Sequence, residues 1–203
     1  MRKMKLLFVN ACLRGEKSRT LKLCKDFLEK FEARMKEKGE TWEIEELDLG
    51  IEKLDVQDGE VLRLRDEKIG EKDFDNPMFR HAKQLIEADY VVIGAPYWDL
   101  QFPAVLKIWL ERCSVTGLTF IYSPEGIPAG QCHAKGFTYI TTTGAPIGNY
   151  NFGFEYVKGL FEGLFGIENG HFIAGEALDI IGNDVDAILE DAKDKITAAV
   201  NTL

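Results

Sequence analysis

Residues 5–10, Lys-Leu-Leu-Phe-Val-Asn, form an apolar run too short for a helix. Strands covered on both faces take this form, so the run commits the chain to a sheet with helical layers above and below it. Asp89–Gly94 is a second such run and the strongest strand signal in the chain. Trp42–Leu49 alternates well enough for another strand, Lys135–Thr142 reads as a fourth, and Gly170–Ala174 as a short fifth. Helical periodicity fills the intervals. Ser18 signals the start and Gly39 the end of a helix whose Leu21, Cys24, Leu28, Phe31 and Met35 step by three and four. Further helices are expected near Met78–Ala88, over Pro103–Cys113, over Phe154–Phe165, and after Asn183-Asp184. Residues 50–77 mix charge with Gly59, Gly70 and Pro77 and read as a long excursion with room for a short helix.

Strands alternating with helices define an α/β class, a doubly wound parallel sheet. Right-handed crossovers leave two common topologies, the dinucleotide-binding and the flavodoxin-like. Five strands with no sixth favour the flavodoxin-like one, with strand order 2-1-3-4-5. At 203 residues the chain reads as a single domain, residues 1–203. Its 60 Leu, Ile, Val and Phe residues stand well above the roughly 20% below which disorder is expected. The helix at Pro103–Cys113 is apolar almost all round, with only Lys107, Glu111 and Arg112 charged. Such a helix is either central or covered by a partner subunit.

The formal charge of -9 argues against nucleic acid or anionic lipid as a bulk partner. The longest apolar stretch, Tyr90 to Trp98, falls far short of the roughly 20 residues of a membrane helix. Cys12, Cys24, Cys113 and Cys132 form no close-spaced pairs and suggest reduced thiols in a cytoplasmic protein. The start, Met1-Arg2-Lys3-Met4-Lys5, mimics a signal peptide, but the apolar part is short, Asn10 interrupts it, and Arg14, Glu16, Lys17 and Arg19 follow at once. A buried first strand is the reading taken.

In sheets of this kind a ligand lies beyond the carboxyl ends of the strands, which selects the loops after strands one, three and four. The first, Ala11 to Thr20, lacks both G-x-G-x-x-G and G-x-x-x-x-G-K-[ST]. It offers the hydroxyls of Ser18 and Thr20, the cation of Arg19 and a helix N-terminus, a set suited to a phosphomonoester dianion. Ser18 as a plain helix cap beside solvated arginines accounts for the same residues equally well. In the second loop, Pro96, Tyr97, Trp98, Asp99 and Leu100 set two adjacent aromatics at the mouth of the sheet, either to flank a flat ring or to plug the loop against its helix. The third, Thr141-Thr142-Thr143-Gly144, brings hydroxyls and a permissive glycine to the same space. Phosphate, ring and polar-edge chemistry converging on one crevice favours a flavin mononucleotide (FMN) site.

These residues resemble the FMN-dependent NAD(P)H oxidoreductases that include NADH:quinone reductases and azoreductases. Ser18-Arg19-Thr20 is similar to that family's phosphate loop. Ala95-Pro96-Tyr97-Trp98-Asp99-Leu100, followed by Phe102-Pro103, Leu106-Lys107 and Trp109, resembles its A-P-M-Y-N-F ring loop and the next helix. Gly117-Leu118-Thr119-Phe120-Ile121-Tyr122 matches its G-x-T-F-x-Y segment. The resemblance covers nearly the whole chain, most loosely over residues 50–77. It implies that FMN is held by Cys12, Ser18, Arg19, Thr20, Pro96, Tyr97, Trp98, Asp99, Leu100, Thr142 and Gly144, and that Leu100 and Tyr122 face a flat acceptor. NADH or NADPH would pass a hydride to the flavin, and a quinone or azo compound would then take its place. No side chain need act as nucleophile, since the flavin carries the chemistry. The family also implies a homodimer, which would cover the apolar helix.

Three departures stand out. Cys12 replaces a serine at the end of strand one, Asp99 replaces an asparagine in the ring loop, and Thr143-Gly144-Ala145 stands where Arg-Gly-Gly is common. A carboxylate at Asp99 would oppose an anionic reduced flavin and lower its potential. Two other readings use the same fold. A flavodoxin-type electron carrier would bind FMN without oxidising NAD(P)H, but such carriers place T-x-T-G-N-T directly after strand one, whereas here Thr141-Thr142-Thr143-Gly144 follows strand four. A degenerate member would bind flavin weakly or not at all, and Cys12 is the only hint of that.

Overall fold

The computed structural model describes residues 3–203. Strands β1 (Met4–Asn10), β2 (Trp42–Asp48) and β3 (Tyr90–Gly94) are followed by a small antiparallel hairpin, β4 (Phe120–Tyr122) and β5 (Pro128–Gly130). Then come β6 (Phe137–Thr142) and β7 (Gly170–Gly175). The main sheet has the order β2-β1-β3-β6-β7, and every neighbouring pair in it is parallel. Counted along the chain without the hairpin, that is the expected 2-1-3-4-5.

The helices are α1 (Arg19–Glu37), α2 (Leu49–Glu52), α3 (Gly59–Glu71), α4 (Arg80–Glu87), α5 (Ala104–Cys113), α6 (Phe152–Leu160) and α7 (Val185–Thr202). Alternation along β1 divides the core in two. Leu6 and Phe8 meet Leu21, Cys24, Phe27 and Phe31 of α1 and Ile196 and Val200 of α7 on one face. Leu7 and Val9 belong to the opposite core, with Leu85 of α4, Leu106, Trp109 and Leu110 of α5, and Phe154 and Val157 of α6. A central strand buried on both sides leaves its carboxyl end as the natural place for a crevice.

The structure departs from the sequence reading in several places. The excursion at 50–77 holds a full helix, α3, in addition to the single turn of α2. Helix α3 contains no buried residue, and Leu62 and Leu64 are both 40% exposed, so the apolar stripe that betrays a helix is missing. Its start is fixed instead by Asp58, whose carboxylate accepts from the amides of Glu60 and Val61. The β4–β5 hairpin was not expected, because its strands are three residues each. Leu49 opens α2 rather than closing β2. The helix expected at Phe154–Phe165 begins at Phe152 and ends in a wider turn over Phe161–Phe165. Helix α5 is not central: Leu106, Trp109, Leu110 and Cys113 are buried, but Val105 and Ile108 are only half-buried and Ala104 is exposed. Among the described residues, no helix is long and apolar enough to cross a membrane.

Candidate functional site

Strand β1 ends in Asn10, a buried residue whose Oδ1 accepts from the Cys12 amide at 2.9 Å and whose amide group donates to Glu46 at 2.9 Å. That pair of bonds turns the chain out of the sheet. A single turn at Gly15–Lys17, entered through Gly15 at φ +54°, returns it to Ser18. Ser18 caps α1, its hydroxyl accepting from the Leu21 amide at 3.2 Å. The cap leaves the amides of Arg19 and Thr20, the first two of the helix, without a partner in a preceding turn. Thr20 is fully buried, and its hydroxyl lies 2.7 Å from that of Thr142 at the end of β6. The first loop is thus tied to the end of β6 at the carboxyl edge of the sheet.

The segment after β3 is anchored in the same place, with the Ala95 amide on the Ile140 carbonyl and the Tyr97 amide on the Thr142 carbonyl. It then reverses sharply. Trp98 and Gln101 exchange backbone hydrogen bonds of 3.3 and 2.8 Å around Asp99 and Leu100, which sit at φ +50° and +66°. Neither is glycine, so the turn is strained, and strain of this kind collects at functional loops. The Tyr97 hydroxyl donates to the Tyr150 carbonyl at 3.0 Å. Burial, and then the Glu176 carboxylate, raise its phenol above the ordinary range.

These loops enclose a cavity of about 350 Å³. Eight of the nominated positions line it: Ser18, Arg19, Thr20, Pro96, Tyr97, Trp98, Thr142 and Gly144. Sequence reasoning had not nominated Arg14, Lys17, Thr143, Leu178 or Asp179, which complete the wall. Arg14 and Lys17 stood in the first loop and were legible there as charge. Asp179 carried no local signal, since its contact in the site, Arg19, is 160 positions away. Cations, hydroxyls and free helix amides in one wall with two aromatic residues match the donor set of a phosphorylated aromatic ligand such as FMN.

The other nominated residues stand outside the lining. Cys12 is buried, with its Sγ 3.5 Å from the Gly94 carbonyl, and it faces the core beside Cys24. A hydrogen bond from Cys24 lowers the Cys12 thiol, against the effect of burial, while burial pushes the Cys24 thiol well above its usual range. Gly94 has to be glycine for this packing, because a Cβ there would lie 2.5 Å from the Cys24 sulfur. Asp99 is exposed at the tip of its turn, and Leu100 is 45% exposed beside it. Tyr122 lies on the hairpin, 55% exposed, with its ring edge-on to Phe120. Of the three histidines, His81 is buried with Nε2 3.2 Å from Glu52. Among the described residues no group of three or more His, Cys, Asp and Glu could hold a metal ion.

Comparison with known proteins agrees with this fold. The family model describing a flavodoxin-like fold matches residues 4–200. An FMN-dependent NADH:quinone oxidoreductase 2 of Clostridium acetobutylicum is 35% identical over 197 residues, covering 94% of this chain and 95% of the relative. An FMN-dependent NADH:quinone oxidoreductase of Lachnoclostridium phytofermentans is 35% identical over 194 residues, covering 94% and 95%. Among solved structures, an azoreductase from Bacillus anthracis superposes with a TM-score of 0.85 at 25% identity, covering 98% of this chain and 100% of that one. The chain belongs to the flavodoxin-like family that contains these FMN-dependent NADH:quinone oxidoreductases.

Proposed function

We propose that the protein is an FMN-dependent oxidoreductase that takes electrons from NADH, or from NADPH, and delivers them to quinones, azo compounds or similar flat acceptors. The observation that carries this reading is the joint lining of the carboxyl-end cavity by cations, hydroxyls and aromatic residues, in a chain 35% identical to FMN-dependent NADH:quinone oxidoreductases along 94% of its length. Bound FMN supplies the hydride acceptance and donation. The side chains position it and shape access to it.

In this reading Arg19, the hydroxyls of Ser18 and Thr20 and the free amides of α1 hold the phosphate, with Arg14 and Lys17 adding positive potential. Pro96, Tyr97 and Trp98 border the ring, in a segment held to β6 by the amides of Ala95 and Tyr97. Thr142 and Gly144 meet its polar edge. Cys12 acts through the packing under the first loop, and Asp99 and Leu100 act through the strained turn that aims Trp98. Leu100 and Tyr122 border the acceptor.

The reading extends to assembly. Val105 and Ile108 of α5 and the exposed Ile121, Tyr122 and Ile127 of the hairpin supply an apolar surface for a second copy of the chain. A cytoplasmic homodimer, each copy a single FMN-binding domain, is the form proposed.

The test is the visible spectrum of the purified protein reconstituted with FMN. Anaerobic NADH should bleach the flavin band, and menadione should restore it. A band that NADH leaves intact would mark an electron carrier served by a separate reductase. A protein that takes up no FMN would overturn the reading entirely.

A further inference from the structure

The cavity contains a carboxylate as well as cations. Asp179 Oδ1 accepts from the Arg19 guanidinium at 2.8 Å, joining the first residue of α1 to the segment after β7. The backbone around Asp179 is pinned to the loop after β6. The Thr143 amide donates to the Gly175 carbonyl, the Leu178 amide to that of Thr143, and the Asp179 amide to that of Gly144, each at 3.0 Å. The carboxylate is held over Gly144 so closely that a Cβ on that glycine would lie 2.4 Å from Asp179 Oδ2. Asp179 therefore belongs to the wall of the site, although its side chain is 70% exposed.

The Asp179 carboxylate takes an N–H of the Arg19 Nη1 and neutralises charge that a phosphate dianion would use. The remaining N–H groups of the guanidinium could reach a second anion, but the two anions would then share one positive charge and repel each other at short range. We propose that Asp179 is a built-in counter-anion: it holds Arg19 when the phosphate subsite is vacant and must yield it when a phosphomonoester enters. This inference rests on the FMN reading of the site and adds a residue that sets cofactor affinity. The penalty falls only on ligands that carry the phosphate. Riboflavin, which has the same ring system and no phosphate, leaves the pair undisturbed.

The experiment titrates wild type and Asp179→Asn with FMN and with riboflavin, following the quenching of flavin fluorescence. Asn keeps the size of the side chain and removes its charge. The variant is expected to bind FMN about three- to tenfold more tightly, the range set by releasing a partly exposed ion pair and its repulsion. Riboflavin affinity should stay the same. The gain for FMN should shrink as salt rises. FMN affinity that is unchanged or reduced would overturn the proposal and make Asp179 a support for Arg19 instead. An equal gain for riboflavin would overturn it too, by placing the effect at the ring. If neither wild type nor variant bound FMN, the cofactor reading itself would fall, a result distinct from the other two.

Discussion

At the carboxyl ends of the strands the cavity measures about 350 Å³ and is walled by Arg14, Lys17, Arg19, Ser18, Thr20 and Asp179 among others. At the amino ends a second cavity of about 600 Å³ is bordered by Phe31, Met35, Trp42, Tyr90 and Leu203, together with Glu40, Asp89, Lys135 and His171. The larger space has the weaker claim to chemistry. Its rings satisfy one another: Phe31 lies edge-on to Trp42 at 5.0 Å and stacked with Tyr90 at 6.2 Å, and the Tyr90 hydroxyl bonds that of Thr138. The smaller cavity gathers three cations, Arg14, Lys17 and Arg19, around free helix amides, and Trp98 in its wall is held by an adjoining turn with two strained residues. Positive charge converging on free helix amides distinguishes a site from a gap here, and volume does not.

The widest separation between the two ends is expected from Phe31→Ala. Removing a fully buried ring should cost about 3–5 kcal/mol of stability in denaturant titration. Wherever the variant remains folded, its FMN affinity should match that of the wild type. A parallel loss of FMN affinity would join the two ends and break the comparison. Arg19→Ala should do the reverse. Losing a charge-assisted bond should weaken FMN by about tenfold, toward the low end of roughly 1.5–3 kcal/mol because Arg19 is partly exposed, with little change in the denaturation midpoint. Unaltered FMN affinity in this variant would remove Arg19 from the phosphate subsite.

Leu100→Gly tests the strained turn. Glycine adopts the left-handed region without the Cβ clash that costs about 1–2 kcal/mol, and its flexibility returns about 0.5–1, so a net gain of roughly 0–1.5 kcal/mol is expected. Thermal melting should rise slightly while FMN binding weakens, because the turn would hold Trp98 less firmly. A loss of stability would show that φ +66° at Leu100 is not a strained state. Asp99→Asn should raise the flavin midpoint potential, an effect kept small by the exposure of that carboxylate. Potentiometry giving an unchanged or lower midpoint would dismiss the electrostatic role of Asp99.

The pH dependence of the fold belongs to neither end. His81 is buried, and burial holds its imidazole below the ordinary range, with Glu52 pulling it up and Arg80 pushing it down. The folded value thus lies below the unfolded one of about 6.5. Its contribution to stability is complete above about pH 6.5 and is lost as pH falls through the lower folded value. The urea midpoint should fall less between pH 7 and 5 in His81→Gln than in wild type. Equal falls would assign the acid sensitivity to other groups.

The two ends also differed in how far they could be read from the sequence. β1 and β3 were plain because they are buried on both faces and contain almost nothing but apolar residues. The first loop was legible because Ser18, Arg19 and Thr20 follow each other where a helix begins. Helix α3 was not, because none of its residues is fully buried and only Ile69 packs against a core cluster, that of Phe79, Ala82 and Val115, which leaves no periodic trace. Asp179 and Leu178 were missed for a different reason: three backbone bonds between the segments after β6 and β7 bring them to the cavity, and such bonds leave no mark on side-chain pattern. The strain at Asp99 and Leu100 was hidden as well, since neither residue type announces a left-handed turn in the way glycine does.

The central claim is that the smaller, polar cavity is the one that takes the cofactor. A crystal structure of the protein grown with FMN tests it most directly. The phosphate should lie against Arg19, Thr20 and the amides that open α1, with the ring beside Tyr97 and Trp98 and the Arg19–Asp179 pair parted. Flavin density between Phe31, Trp42 and Tyr90, with the carboxyl-end cavity holding only water, would contradict the account.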